Sequence, residues 1–208
     1  MTIDYLREIR RYNVRHTAPD PARCALLVID MQQFFAGIAG PILPNVTAAI
    51  DACRGAGIPV IFTRHGHRDI ETDGGMLVSW WGDNIRYGSP DWELLPEMVP
   101  RSGERVLDKD RYSVFRRTDL ETDLRSAGIG ELIIVGVLTN CCCETTARDG
   151  FVRDFRIFFV ADGTATVNDD LQIASLKTLS YGFAHVVSTE ALCAFLAEVA
   201  EGGGTTDG

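Results

Sequence analysis

Three residue types that together can perform nucleophilic chemistry stand at separated points of the 208-residue chain. Each closes an apolar run: Asp30 follows "CALLVI", Lys109 stands in "LDKDRYSVF", and Cys141, Cys142 and Cys143 sit in "VGVLTNCCCETTARDG". A thiol attacks carbon as its thiolate, so it needs a base for its proton and a cation beside its charge; a carboxylate and an ammonium supply both. Residues on a helix advance by about 100° each, so at most one of three adjacent cysteines faces a given crevice squarely, the others packing. Spacing alone does not choose among them. A thiol at a helix N-terminus near a Lys is expected to have a lowered pKa, and the free N–H groups there suit an oxyanion.

The elements that must bring these groups together are legible as alternating periods. Cys24 to Met31 is a near-continuous apolar run, the pattern of a parallel strand buried on both faces. Asn45 to Gly57 has helical spacing and Pro59 to Arg64 reads as a second strand. Arg105 to Lys109 makes a third, and Thr118 to Ala127 a helix with Thr118 as cap and Glu121 at capping-box spacing. Glu131 to Leu138 is a fourth strand, followed by a helix from about Cys141 to Asp154. A strand at Arg156 to Ala161, a helix from about Asp169 to Tyr181, a strand at His185 to Ser188 and a last helix complete the alternation. This order predicts an α/β fold, a three-layer α/β/α sandwich on a six-stranded, mostly parallel Rossmann-like sheet. Ligands in such sheets bind beyond the carboxyl ends of the strands, where Asp30, Lys109 and the cysteines stand. Residues 66–90, Gly-rich and aromatic, read as a long functional loop and part of a pocket wall.

Composition bounds the partners. A formal charge of −9 and 24% charged residues give no basic stripe, so neither nucleic acid nor an anionic membrane is an expected partner; a neutral or cationic small molecule suits the field better. The apolar runs are strand-sized, so no membrane span is expected, and residues 1–20 are charged, with no signal-peptide pattern. The six cysteines lack disulfide-framework or zinc spacing, which points to a reducing cytoplasm. The domain division is a 1–20 extension, one domain over 21–200 and a flexible tail at 201–208.

Three separated motifs in the same order, "ALLVIDMQ", a Lys followed by "RYSVF", and "GVLTNCCCETTARDGFVRDFRIFFVADGTAT", resemble the isochorismatase-like hydrolases, or cysteine hydrolase superfamily, from about Cys24 to about Leu192. The resemblance implies that Asp30, Lys109 and Cys142 form a catalytic triad, the cysteine being the last residue of "T-N-x-C". It also implies a cis peptide between Val137 and Leu138 and an oxyanion hole from the backbone N–H groups of Leu138 and Cys142. The reaction implied is amide hydrolysis through a thioester, with no cofactor, by an enzyme that is commonly a dimer or tetramer.

Phe35, Trp81, Tyr112 and His65 are the expected substrate-binding side chains; Trp81 is favoured over Trp80 for the cavity. His65 and His67, with Asp69, could ligate a metal as in many nicotinamidases, but the family pattern places an Asp and then His residues at wider spacing, so no metal is expected. Asp162 reads as a structural acceptor, and Cys24, Cys53, Cys141, Cys143 and Cys193 as packing. Two alternatives stand beside the amidohydrolase: an isochorismatase cleaving a vinyl ether to pyruvate and a dihydrodiol, whose chemistry needs no thiol, and a non-catalytic binding module.

Overall fold

A computed structural model describes residues 3–82 and 84–202. Its sheet has six parallel strands, β1 (Cys24–Ile29), β2 (Val60–His65), β3 (Arg105–Lys109), β4 (Glu131–Val137), β5 (Arg156–Ala165) and β6 (His185–Val187), in the order β3-β2-β1-β4-β5-β6. Every residue of β1 and β4 is buried, because alternate side chains enter two different cores. Ala25, Leu27 and Ile29 join one with Phe155, Phe159 and Leu176; Cys24, Leu26 and Val28 join the other with Val46, Ile50 and Leu192. A strand with apolar partners on both faces has no polar alternation to show, hence the unbroken runs in the sequence.

The helices are α1 (Tyr5–Ile9), α2 (Ala36–Ala39), α3 (Leu43–Gly55), α4 (Gly75–Trp81), α5 (Leu120–Ser126), α6 (Glu144–Val152), α7 (Asp169–Gly182) and α8 (Thr189–Gly202). The extended charged lead is anchored: Ile9 of α1 is fully buried in the first core. The near-continuous helical run Gln33–Gly55 is long and apolar enough by length and composition to cross a bilayer, but Val46, Ala49, Ile50 and Cys53 bury its inner face against the sheet. α8 runs to Gly202, so the flexible tail expected at 201–208 starts inside a helix, and its residues 203–208 lie outside the described residues.

Four boundaries differ from the sequence reading. Residues 66–90 are not a structureless loop: they hold a π-helical turn (Ile70–Gly74), α4 and the start of a 3-10 turn (Pro90–Trp92). The helix expected from Cys141 opens instead with a π-helical turn, Thr139–Cys143, and α6 begins at Glu144. Strand β5 continues to Ala165 past a register shift opposite Ile134 and Gly136. The capping box does not close: α5 begins at Leu120 with Asp119 as its N-cap, and Glu121 pairs with Arg153, a long-range contact that outcompetes the local one. Asp162 is structural as expected, its Oδ1 accepting from Thr189 N (2.7 Å) and Oγ1 (2.9 Å).

Candidate active site

The strand order reverses between β1 and β4, and Asp30 and Cys142 lie just beyond the carboxyl ends of those two strands. β1 and β4 approach closely here because residue 136, register partner of Ile29, is glycine at φ +119; a Cβ there would lie 2.1 Å from the Ile29 carbonyl oxygen. Asp30 itself turns out of the strand at φ 49, in the left-handed region that Asp tolerates better than most residues. That turn brings its carboxylate back over the strand ends. Its Oδ1 accepts from Thr63 Oγ1 at 2.6 Å, and its N–H donates to the same Oγ1 at 3.1 Å.

Lys109 reaches the same point from the end of β3. Its Nζ donates to Asp30 Oδ2 at 2.6 Å, to the Arg111 carbonyl at 3.1 Å and to Cys142 Sγ at 3.4 Å. Both side chains of the ion pair are wholly buried. Burial alone would lower the Lys109 pKa, but the Asp30 charge and the neighbouring sulfur reverse this and hold it above the ordinary amine range. The sequence-expected acid, amine and thiol therefore converge on one point.

The three cysteines separate into three roles. Cys143 is fully buried in the first core; Cys142 touches Lys109 and contributes to a cavity; Cys141, half-buried, lines the same cavity. The expectations that at most one of the three faces the crevice, and that Cys141 is packing, are corrected, since Cys141 and Cys142 both line the cavity. The reason is the π-helical turn, whose Cys143 N–H reaches back five residues to the Leu138 carbonyl (3.2 Å) and so advances each residue by less than an α-helix does. Cys141 N–H also goes to that carbonyl, at 3.1 Å. The peptide between Val137 and Leu138 is cis.

The expected lowering of the nucleophile's pKa is also corrected. Burial pushes the Cys142 thiol up, and the opposing pull of Lys109 is offset by Asp30 on the other side. The thiol therefore gains no net help toward ionisation from the two groups beside it. Proton transfer has to accompany attack.

The cavity, about 300 Å³, is the size for a small molecule and is largely apolar. Phe35, His65, Trp81 and Tyr112 all line it, as the sequence predicts, and so does Leu138. Trp81 Nε1 donates to Tyr112 Oη at 2.7 Å, whereas Trp80 is 76% exposed. None of the described residues lining the cavity is Arg or Lys. Burial, reinforced by the Lys109 charge, lowers the His65 pKa to about 4, so its imidazole is neutral near pH 7; its buried Nδ1 has no hydrogen-bond partner in the protein.

His65, His67 and Asp69 do not assemble a metal site. His67 Nδ1 pairs with Asp73 at 3.1 Å, Asp69 caps the following turn through Glu71 N, and no group of three or more His, Cys, Asp and Glu side chains able to hold a metal occurs among the described residues. Two contributors escaped the sequence reading. Thr63 fixes the carboxylate, and the buried Gln32 holds the ends of β1 and β2 together, Nε2 donating to His65 O (3.0 Å) and Trp92 O (2.8 Å) while Oε1 accepts from His65 N (2.8 Å). Their signal was a polar residue set within or just after an apolar strand.

Nicotinamidase 3 of Arabidopsis thaliana is 45% identical over 88% of this chain and 93% of its own length. Enterobactin synthase component B of Escherichia coli K12 is 34% identical over 83% of this chain, which spans 63% of that protein. The crystal structure of a cysteine hydrolase from Pseudomonas syringae pv. phaseolicola 1448A superposes with a TM-score of 0.84 at 29% identity, covering 89% of this chain and 97% of that one. The isochorismatase domain model matches residues 24–191, and the chain belongs to the isochorismatase-like cysteine hydrolase family.

Proposed function

We propose that the protein hydrolyses the C–N bond of a small, uncharged amide, with Cys142 as nucleophile, Asp30 as proton acceptor and donor, and Lys109 as the fixed cation. The observation that carries this reading is the contact of one buried ammonium with both Asp30 (2.6 Å) and Cys142 Sγ (3.4 Å), the thiol itself lining an apolar cavity. Asp30 takes the thiol proton as Sγ bonds to the amide carbon. The oxyanion is held by the N–H groups of Leu138 and Cys142. Collapse of the tetrahedral adduct breaks the C–N bond, Asp30 returns the proton to the departing nitrogen, and ammonia or an amine leaves. Water, deprotonated by Asp30, then adds to the thioester; expulsion of the sulfur, reprotonated from Asp30, gives the carboxylic acid and the resting thiol. Lys109 presents its positive charge to Asp30 and to the sulfur throughout.

The relatives carry names of two chemistries, an amide hydrolase and an enterobactin synthase component, and the cavity favours the first. Isochorismate carries two carboxylates. Among the described residues the wall has no Arg or Lys to pair with them, and burying an unpaired carboxylate is costly. A neutral carboxamide meets no such cost. The same observations favour a small-molecule partner over a macromolecule, and the six free thiols favour a reducing compartment. The test is to incubate the protein with nicotinamide, other small carboxamides and isochorismate, following ammonia and pyruvate separately. Ammonia release lost on alkylation of Cys142 is the expected result; pyruvate release that survives alkylation would overturn the reading.

A further inference from the structure

The outer wall of the cavity poses a separate physical question. α4 supplies Leu77 and Trp81 to the cavity, yet it is seven residues long and buries none of its own side chains. Helices shorter than about 12 residues are marginal without tertiary packing, so this one must be held from its ends. At the far end, Trp81 Nε1 donates to Tyr112 Oη (2.7 Å). At the near end, the preceding turn is fastened through Asp73: its carboxylate takes His67 Nδ1 (3.1 Å) and Arg68 N (2.8 Å), and its backbone carbonyl accepts from Arg111 Nη1 (2.6 Å). The guanidinium also donates to Asp110 O (2.6 Å), lies 3.6 Å from the Asp110 carboxylate, and packs on the first residue of α4, Gly75, where a Cβ would meet its Nη2 at 2.6 Å. The backbone carbonyl of the same Arg111 receives the Lys109 ammonium (3.1 Å).

Residues 109–112 thus carry the site's cation and both the Arg111 and Tyr112 tethers of α4. We infer that Arg111 is a positioning residue: its side chain latches α4 against the cavity, fixing the wall that receives the acyl group of the substrate, while its carbonyl orients Lys109. Its side chain touches no reacting atom. This rests on the amide-hydrolase reading for the identity of the substrate, but not for the existence of the latch.

The test compares the wild type with Arg111→Met, which keeps the stem and deletes the donors, and Arg111→Lys, which restores one charged donor. Amide hydrogen exchange in α4, measured without substrate, is expected to rise about tenfold or more in Arg111→Met and less in Arg111→Lys, with the strands unaffected, since a charge-assisted hydrogen bond is worth about one order of magnitude in an equilibrium. KM for nicotinamide is expected to rise about tenfold in Arg111→Met while kcat falls less than threefold. Unchanged exchange in α4, exchange that rises equally through β1 and β4, or a fall in kcat at constant KM would overturn the latch. Local exchange that behaves as expected in a protein that hydrolyses no amide would leave the latch standing and defeat the amide reading instead.

Discussion

The floor of the cavity and its outer wall are built by opposite means. Asp30 and Cys142 extend from strands in which every residue is buried, and Lys109 is locked between them with no exposed side-chain surface. The wall at residues 70–81 buries only Gly74, leaves Met76 71% and Trp80 76% exposed, and is held by a few hydrogen bonds. A floor of this kind fixes distances between reacting atoms, which is where small displacements are expensive. A wall of this kind can accommodate different acyl groups at small cost. Substitutions in the floor should therefore act on chemistry and stability, and substitutions in the wall on fit.

The largest expected effect is at the floor. Cys142→Ala should lower kcat by about 10⁴-fold or more, as removal of a nucleophile does elsewhere, with an unchanged circular dichroism spectrum; residual turnover above about 1% would break the assignment. Lys109→Met should be the most destabilising single change. It leaves the Asp30 carboxylate buried without its cation, at a cost of about 3–5 kcal/mol, read as a lowered urea midpoint. Adding Asp30→Asn should recover part of that loss, because the orphaned charge is then gone; a double variant no more stable than the single one would show that the pair is not the source.

The floor was also the more legible region, for a physical reason. A strand buried on both faces writes itself as an apolar run, and a polar residue at its end has to be explained by something other than the core, so Asp30 and Lys109 stood out. Cys142 did not stand out from its neighbours by spacing, and the family resemblance chose it. The structure explains why spacing misleads: a π-helical turn stands in place of the α-helix expected for residues 141–143 and admits Cys141 to the cavity, while burial, which spacing does not encode, pushes the Cys142 thiol up. α4 was illegible because its apolar residues answer to no core: Met76 and Trp80 face outward and Leu77 and Trp81 face a cavity, so there is no buried stripe to read. Gly136 and Thr63 act through backbone approach and a single hydroxyl, features that periodicity does not encode.

Thr63 is a floor residue with no exposed surface. Its hydroxyl donates to Asp30 Oδ1 and accepts from Asp30 N. Thr63→Val keeps the shape and leaves both groups short of a partner, at about 1–3 kcal/mol of stability. If the floor governs chemistry, kcat should fall about tenfold with KM nearly constant; a change confined to KM would place Thr63 with the wall.

The smallest expected effect joins the two regions through His65, which lines the cavity from the end of a floor strand. Its folded pKa is near 4, against about 6.5 for an unperturbed histidine, because burial and the Lys109 charge both disfavour the imidazolium. Between those values the unfolded chain binds a proton that the folded protein does not. Stability therefore rises with pH across this window, is complete above about pH 6.5 and is lost as the pH falls toward 4. The contribution of this one group between pH 7 and pH 5 is about 1 to 2 kcal/mol. His65→Gln, which cannot titrate, should flatten the dependence of the urea midpoint on pH over that range by a corresponding amount. An identical slope in the variant would mean that the imidazole titrates alike in the folded and unfolded chain, so that burial and the Lys109 charge do not hold it neutral through this range.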